Sequence, residues 1–256
     1  MGLHAIRIAP DIVDGDISKL IASNKTDTPF ADGDILFDWQ ELKVPNTTNK
    51  LVSITGYIMG EDGGVQVNTD IHFIFAKTID GVAPGTLGEE NAAQTACFEL
   101  PLHFIGAVKV EGTSSPNVGP AFGDTFSAGY EGGTNGHTTN LVLQGEPDLD
   151  GSSPGYTSIY VAAFTKAAVD FSTGVLSTGA ISADDNTTVE VDTVDARKCF
   201  QKGDIVYVHD VDTALGTVDS VTSGVITLTT NNVVAVANND EIMNATPIKI
   251  IFGFES

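Results

Sequence analysis

Five histidines, two cysteines and a large excess of carboxylates are the side chains here that could do chemistry, so their spacing is read first. Nucleophilic hydrolysis needs a Ser or Cys within reach of a His that a carboxylate orients. No Gly-x-Ser-x-Gly elbow is expected, and neither Cys97 nor Cys199 stands in a recognisable local signature. His4, His72, His103, His137 and His209 are scattered. His72 and His103 fall inside apolar runs, where a hydrogen-bonded structural histidine is the expected role. Carboxylate pairs for glycoside cleavage could be drawn from 34 acidic residues in countless ways, so their presence points to a solvated acidic surface. The run from Gly129 to Gly136 lacks the Gly-Lys-Ser/Thr of a phosphate-binding loop and reads as a plain loop. Calcium favours clustered oxygen ligands on turns, which makes Asp148-Leu149-Asp150-Gly151-Ser152 and then Asp210-Val211-Asp212 the places to consider. Neither continues to the distant Glu of an EF-hand, so both read as Asp-rich turns. No catalytic, cofactor or metal residue is therefore assigned, and a site assembled from distant residues is left open.

The charge balance constrains partners more sharply. Against 34 acidic residues stand 12 basic ones, a formal net charge of −22. Such a surface repels phosphate and has few cations with which to release counterions, so nucleic acid and anionic membranes are excluded as partners. Neutral or basic protein surfaces and cations are the natural ones. Cys97 and Cys199 lie far apart, which argues for two buried thiols rather than a disulfide framework. Residues Met1 to Ser23 carry Asp11, Asp14 and Asp16 and no continuous apolar stretch, so no secretory signal is expected there. No apolar run approaches the ~18 residues of a membrane span.

The elements that must position these side chains are extended. The opening segment allows a short helical turn between Asp16 and Ser23, or an extended arm. Ile35–Trp39, Leu51–Ile58, Ile71–Ala76, Leu102–Val110, Leu141–Leu143, Ile159–Phe164 and Val169–Phe171 are β-branched and aromatic runs of strand length. Glu89–Phe98, with three alanines, is the helix candidate of the N-terminal half. Residues 112–136 are rich in Gly, Ser, Pro and Asn and read as a long excursion, a feature typically functional or anchored. Phe122, Phe126 and Tyr130 are spaced through it and are the candidate protein-interface residues.

From Asp184 to Ala245 the composition shifts to Thr, Val and Asp. The runs at Val189, Ile205, Gly216, Val225 and Glu241 are short strands of a small SH3-like or OB-like barrel. The apolar run Pro247–Phe254 is assigned back to the first domain. The expected fold is all-β: a jelly-roll-like or sandwich domain, residues 1–183 plus 246–256, with a small barrel, residues 184–245, inserted near the C-terminus.

Within that barrel, Phe200-Gln201-Lys202-Gly203-Asp204-Ile205-Val206-Tyr207, Ala214-Leu215-Gly216-Thr217-Val218 and Ile226-Thr227-Leu228-Thr229 form a pattern that resembles small barrels of tailed-phage virion structural proteins. Gly203-Asp204 suits a tight turn entering a strand. Gly216 suits a bend where a side chain would be in the way. The remainder is similar to capsid decoration (cement) proteins in size, acidity and Gly-rich β character, without a motif. This resemblance implies a non-enzymatic head protein made in the host cytoplasm and bound to the capsid exterior. Its implied partners are the major capsid protein and further copies of itself, a trimer being favoured. A carbohydrate- or receptor-binding phage tail or fibre surface protein is the alternative. A virion hydrolase has no positive signal, and the long spine helix of a major shell protein has no candidate stretch.

Overall fold

The computed structural model of the chain describes residues 3–8, 29–44, 48–59, 70–94, 100–110, 124–129, 139, 141–146, 158–209, 211 and 213–255. Among them the helical content is one α-turn, Leu100–His103, and one 3-10 turn, Ala196–Lys198. Everything else of regular form is strand, and the protein is all-β. The first eight strands are β1 (Leu3–Ile8), β2 (Ile35–Lys43), β3 (Asn49–Ile58), β4 (Ile71–Lys77), β5 (Phe104–Val110), β6 (Asp124–Gly129), β7 (Leu141–Leu143) and β8 (Ser158–Thr165). Then come β9 (Leu176–Ser177), β10 (Thr188–Asp192), β11 (Ile205–Val208), β12 (Gly216–Val221), β13 (Val225–Leu228), β14 (Ile242–Asn244) and β15 (Ile248–Glu255).

One sheet runs β1-β15-β3-β6, with β7 pairing the first residues of β3, and a second runs β2-β8-β4-β5. With β7 and the strands between β8 and β15 set aside, eight strands remain. In chain order they alternate between two sheets as first-eighth-third-sixth and second-seventh-fourth-fifth. That order is the doubled Greek key of a jelly roll. Strict alternation builds its interior: in β15 Ile248, Ile250, Phe252 and Phe254 are buried while the residues between them are partly exposed. From the opposing sheet β4 sends in Ile71, Phe73 and Phe75. The Phe252 ring meets those of Phe73 and Phe75 edge-on, with centroids 5.8 and 5.9 Å away.

The six remaining strands form the barrel, in the order β14-β11-β12-β13-β10-β9. The ring is drawn nearly shut where Ile242 N donates to Val175 O at 2.9 Å and Ser177 N donates to Asp240 O at 2.9 Å. Its interior is mostly β-branched and aliphatic, and Phe200 is the aromatic ring among its buried residues. Gly203 adopts φ +92°, the left-handed conformation the entry turn to β11 requires. A Cβ on Gly216 would come within 3.2 Å of Leu228 Cδ1, a tight contact that the Leu228 side chain would have to yield to. The hydrogen-bonded ring begins at Val175, upstream of the compositional shift at 184, because the two-residue strand β9 closes it.

The two units share packing. Along β11, Val206 and Val208 fill the barrel while Ile205 and Tyr207 pack against the sandwich core, and Met243 and Ala245 are buried in that same core.

Several local expectations differ from the structure. Residues 89–94 are not helical, because their backbone pairs with β2: Ile35 N donates to Ala92 O and Asn91 N donates to Ile35 O, both at 3.0 Å. The excursion at 112–136 contains β6, paired to β3 from Ser53 to Ile58. Val169 makes one isolated bridge to Phe30 rather than a strand. The opening segment contributes β1, while residues 16–23 and 95–99 lie outside the described residues.

Candidate functional site

Among the described residues, side chains able to do chemistry gather on the outer face of the four-stranded sheet and at the seam between sandwich and barrel. On the outer face, alternation turns Tyr160, Ala162 and Phe164 of β8 and His72, Ile74 and Ala76 of β4 away from the core. Register places Phe164 opposite His72, Ala162 opposite Ile74, and Tyr160 opposite both Ala76 and Glu41. Residues 85–93 lie as a strap over part of this face. Leu87 is buried on it against Ile35 and Ala162, with Trp39, Ile74 and Phe164 packed around them. The strap is tied down by polar contacts: the Asp38 carboxylate accepts from Thr86 Oγ1 at 2.6 Å and Leu87 N at 3.2 Å, and Trp39 Nε1 donates to Gly85 O at 3.0 Å. Trp39 is therefore a half-buried ring on the outside of the sheet.

Three ion pairs rim the face: Lys109 with Asp70 at 3.0 Å, Lys166 with Asp32 at 2.6 Å, and Lys43 with Glu41. Burial, then the cations of Lys166 and Lys109, pushes the His72 imidazole below its usual pKa, against the opposing pull of Asp70 and Asp32. His72 is thus held toward its neutral form. Its cross-strand neighbours are a phenyl ring and an ammonium, Phe164 and Lys109, neither of which can accept a proton from it. Burial first, and then the Glu41 carboxylate, raises the Tyr160 phenol. The face thus sets apolar and aromatic side chains beside an imidazole held toward its neutral form.

At the seam, Asp204 is buried immediately before β11. Its Oδ1 faces Lys249 Nζ at 2.7 Å, and its Oδ2 accepts from Gln201 N at 2.9 Å and Asn244 Nδ2 at 2.8 Å. Lys249 Nζ also donates to Thr246 O at 2.6 Å, and Asn244 Oδ1 accepts from Thr246 N at 2.9 Å. Burial raises the Asp204 carboxyl, and Lys249 opposes that shift. This network joins β15 of the sandwich to β11 and β14 of the barrel.

No family model, curated protein or solved structure matches the chain. Phe126 lies on β6 opposite Gly56. Its side chain, Phe122 and Tyr130 lie outside the described residues, as do His137, Cys97, Asp148, Asp150, Asp210 and Asp212. His103 is buried, with Nδ1 donating to Lys77 O at 2.7 Å, a structural role. Among the described residues no group of three or more His, Cys, Asp or Glu is placed to hold a metal ion, and no helix is long and apolar enough to cross a membrane. One string departs from the expectation that no Gly-x-Ser-x-Gly elbow occurs. Gly151-Ser152-Ser153-Pro154-Gly155 has Gly-x-Ser-x-Gly spacing, but Pro154 removes the N–H that an oxyanion hole would take from the residue after the nucleophile. It too lies outside the described residues.

Cys199 is fully buried in the barrel, its thiol 3.8 Å from Thr173 O, and burial pushes it up to about 12. Since the thiolate is the reactive form, a Cys97→Ser variant is expected to be inert to an aromatic disulfide reagent at pH 8. It should release one equivalent of thiol on unfolding. Rapid native labelling would contradict the burial.

Proposed function

We propose that this chain is a non-enzymatic structural protein of a tailed-phage virion, a decoration protein that binds the outside of the capsid and stabilises the shell. The observation that carries the reading is the architecture. A jelly roll, a fold shared by viral capsid and lectin domains, bears a small barrel in its last connection, and the two are locked through a common core. Fold alone does not assign function. The charge supplies the second support, since a chain of −22 suits a position outside a shell, away from packaged nucleic acid, against neutral or basic protein. Phe122, Phe126 and Tyr130 are the proposed apolar anchors. Stabilisation would come from mass action over many repeated sites, so modest affinity per site suffices.

Expanded shells lacking the protein, titrated with the purified chain, should bind it saturably and then resist thermal disruption to a higher temperature. Electron microscopy of particles with and without it should show added density on the outer surface. Shells that neither bind the chain nor gain stability would end the proposal. Recognition of carbohydrate, the second reading, is supported by Trp39, Tyr160 and Phe164 on one sheet face beside Asp38 and Glu41. A glycan array with the free chain separates the two, because a shell-binding protein gives no specific glycan signal.

A further inference from the structure

We infer that the joint between β9 and β14 is a latch, the place where the barrel opens while the rest of the fold stays closed, and that the Glu241 carboxylate holds it shut. Elsewhere in the ring, neighbouring strands are joined by ladders: β14 to β11, β11 to β12, β12 to β13, β13 to β10 and β10 to β9. The remaining joint has, among the described residues, one isolated bridge, Leu176 to Glu241, and β9 is only two residues long. Three backbone bonds cross it, Ile242 N to Val175 O, Ser177 N to Asp240 O and Asn239 N to Ser177 O, each 2.9 Å. Local opening begins where few such bonds must break.

Side chains supply what the short ladder does not. One oxygen of Glu241 accepts from Thr173 N at 2.8 Å and from Gly174 N at 3.0 Å, on the segment by which the chain enters the barrel. Gly174 stands at φ +62°, a left-handed conformation, and the two successive N–H groups converge on that oxygen as in an anion-binding nest. Thr173 Oγ1 donates to Ile242 O at 2.5 Å, while Ser177 Oγ donates to Ala237 O at 2.5 Å and accepts from Asp240 N at 3.1 Å. Glu241 is the strongest of these ties, because hydrogen bonds to a charged acceptor outweigh neutral ones. The latch lies over the barrel core at Cys199, whose thiol is 3.8 Å from Thr173 O and whose cluster includes the buried Val175. Lifting residues 173–177 uncovers Cys199. The opening is local, since Ile205 and Tyr207 of β11 and Met243 of β14 keep the barrel packed on the sandwich core.

The test is the rate at which a thiol reagent labels Cys199 in the folded full chain, with Cys97→Ser as the common background, followed by mass at increasing urea below the unfolding transition. With Glu241 intact, labelling should be slow and nearly independent of urea, because a local opening exposes little surface. Glu241→Ala should accelerate it at least about tenfold, the effect of losing two hydrogen bonds to a charged acceptor. Glu241→Gln keeps a neutral acceptor and should fall between. The control is Asp195→Ala, which removes the cap of the 3-10 turn leading directly into Cys199, where Asp195 Oδ1 accepts from Arg197 N at 3.1 Å. It should leave the rate unchanged, since the route to the thiol runs through the latch and not through fraying of that turn. Labelling that appears only in step with global unfolding overturns the inference. So does an unchanged rate in both Glu241 variants, or acceleration by Asp195→Ala as large as by Glu241→Ala. The urea dependence is read with Glu241 in place, so it decides the question even if a Glu241 variant fails to fold. The measurement uses free protein, so it succeeds or fails independently of shell binding.

Discussion

Replacing Phe252 by Ala is expected to lower the unfolding free energy by about 3–5 kcal/mol, the usual cost of deleting a buried ring. The ring is fully buried at the centre of the sandwich, on the strand that lies between β1 and β3, and it touches Phe73 and Phe75 of the opposite sheet edge-on. Its removal opens a cavity bounded by both sheets. Neither can move inward without breaking its own ladder, so the site relaxes little. Against a total stability of about 5–15 kcal/mol such a loss is a large fraction. Urea unfolding of wild type, Phe252→Leu and Phe252→Ala checks it, with Leu falling between the other two. A loss below about 1 kcal/mol for the Ala variant, well under the usual range, would mean that the ring does not bridge the sheets.

The parts of the architecture that were legible in the amino-acid order are those where burial and alternation coincide. Ile71-His72-Phe73-Ile74-Phe75 carries large side chains on both faces, and the structure shows why: one face meets the core and the other lies beside the strap. The short valine-rich runs of the barrel were readable because each sends alternate residues into a small interior. Strands held mainly by backbone pairing were not. β6, Asp124-Thr125-Phe126-Ser127-Ala128-Gly129, has the composition of a loop, and its partner β3 rather than its own side chains marks it as a strand. The alanines at 92 and 93 suggested a helix, yet hydrogen bonds to Ile35 and a bridge to Asp34 hold that segment as a turn against the sheet. The outer-face site was hidden for a related reason. Trp39, Tyr160, His72 and Phe164 come from three separated strands, and only sheet register makes them neighbours.

Asp204 shows the same limit at a single residue, and it carries the second large expected effect. Beside Gly203 it reads as a turn residue, and the turn is real. Nothing local to it reveals that its carboxylate meets an ammonium from the chain's last strand. Lys249→Met is expected to cost about 3–5 kcal/mol at pH 7, because it leaves a buried carboxylate without its counter-charge. The Asp204→Asn/Lys249→Met pair should recover much of that loss, since it removes the uncompensated charge while the amide can still accept from Gln201 N. The pH dependence has a definite sign. Burial raises the folded-state pKa of Asp204 above its unfolded value. Its linked contribution is therefore fully present below the unfolded pKa and declines as pH rises through the folded one. Lys249 opposes the shift, so without it the carboxyl rises further and takes up a proton at higher pH. The deficit of Lys249→Met should then be largest at neutral pH and shrink on acidification, whereas the double variant should show no such recovery. Urea unfolding across that range reads it directly, and a deficit that stays constant or grows with acid would show that Asp204 is not held as a carboxylate by Lys249. The seam would then owe its rigidity to Met243, Ala245 and Tyr207 against the sandwich core, and the ion pair would serve to select one docking orientation among several apolar ones.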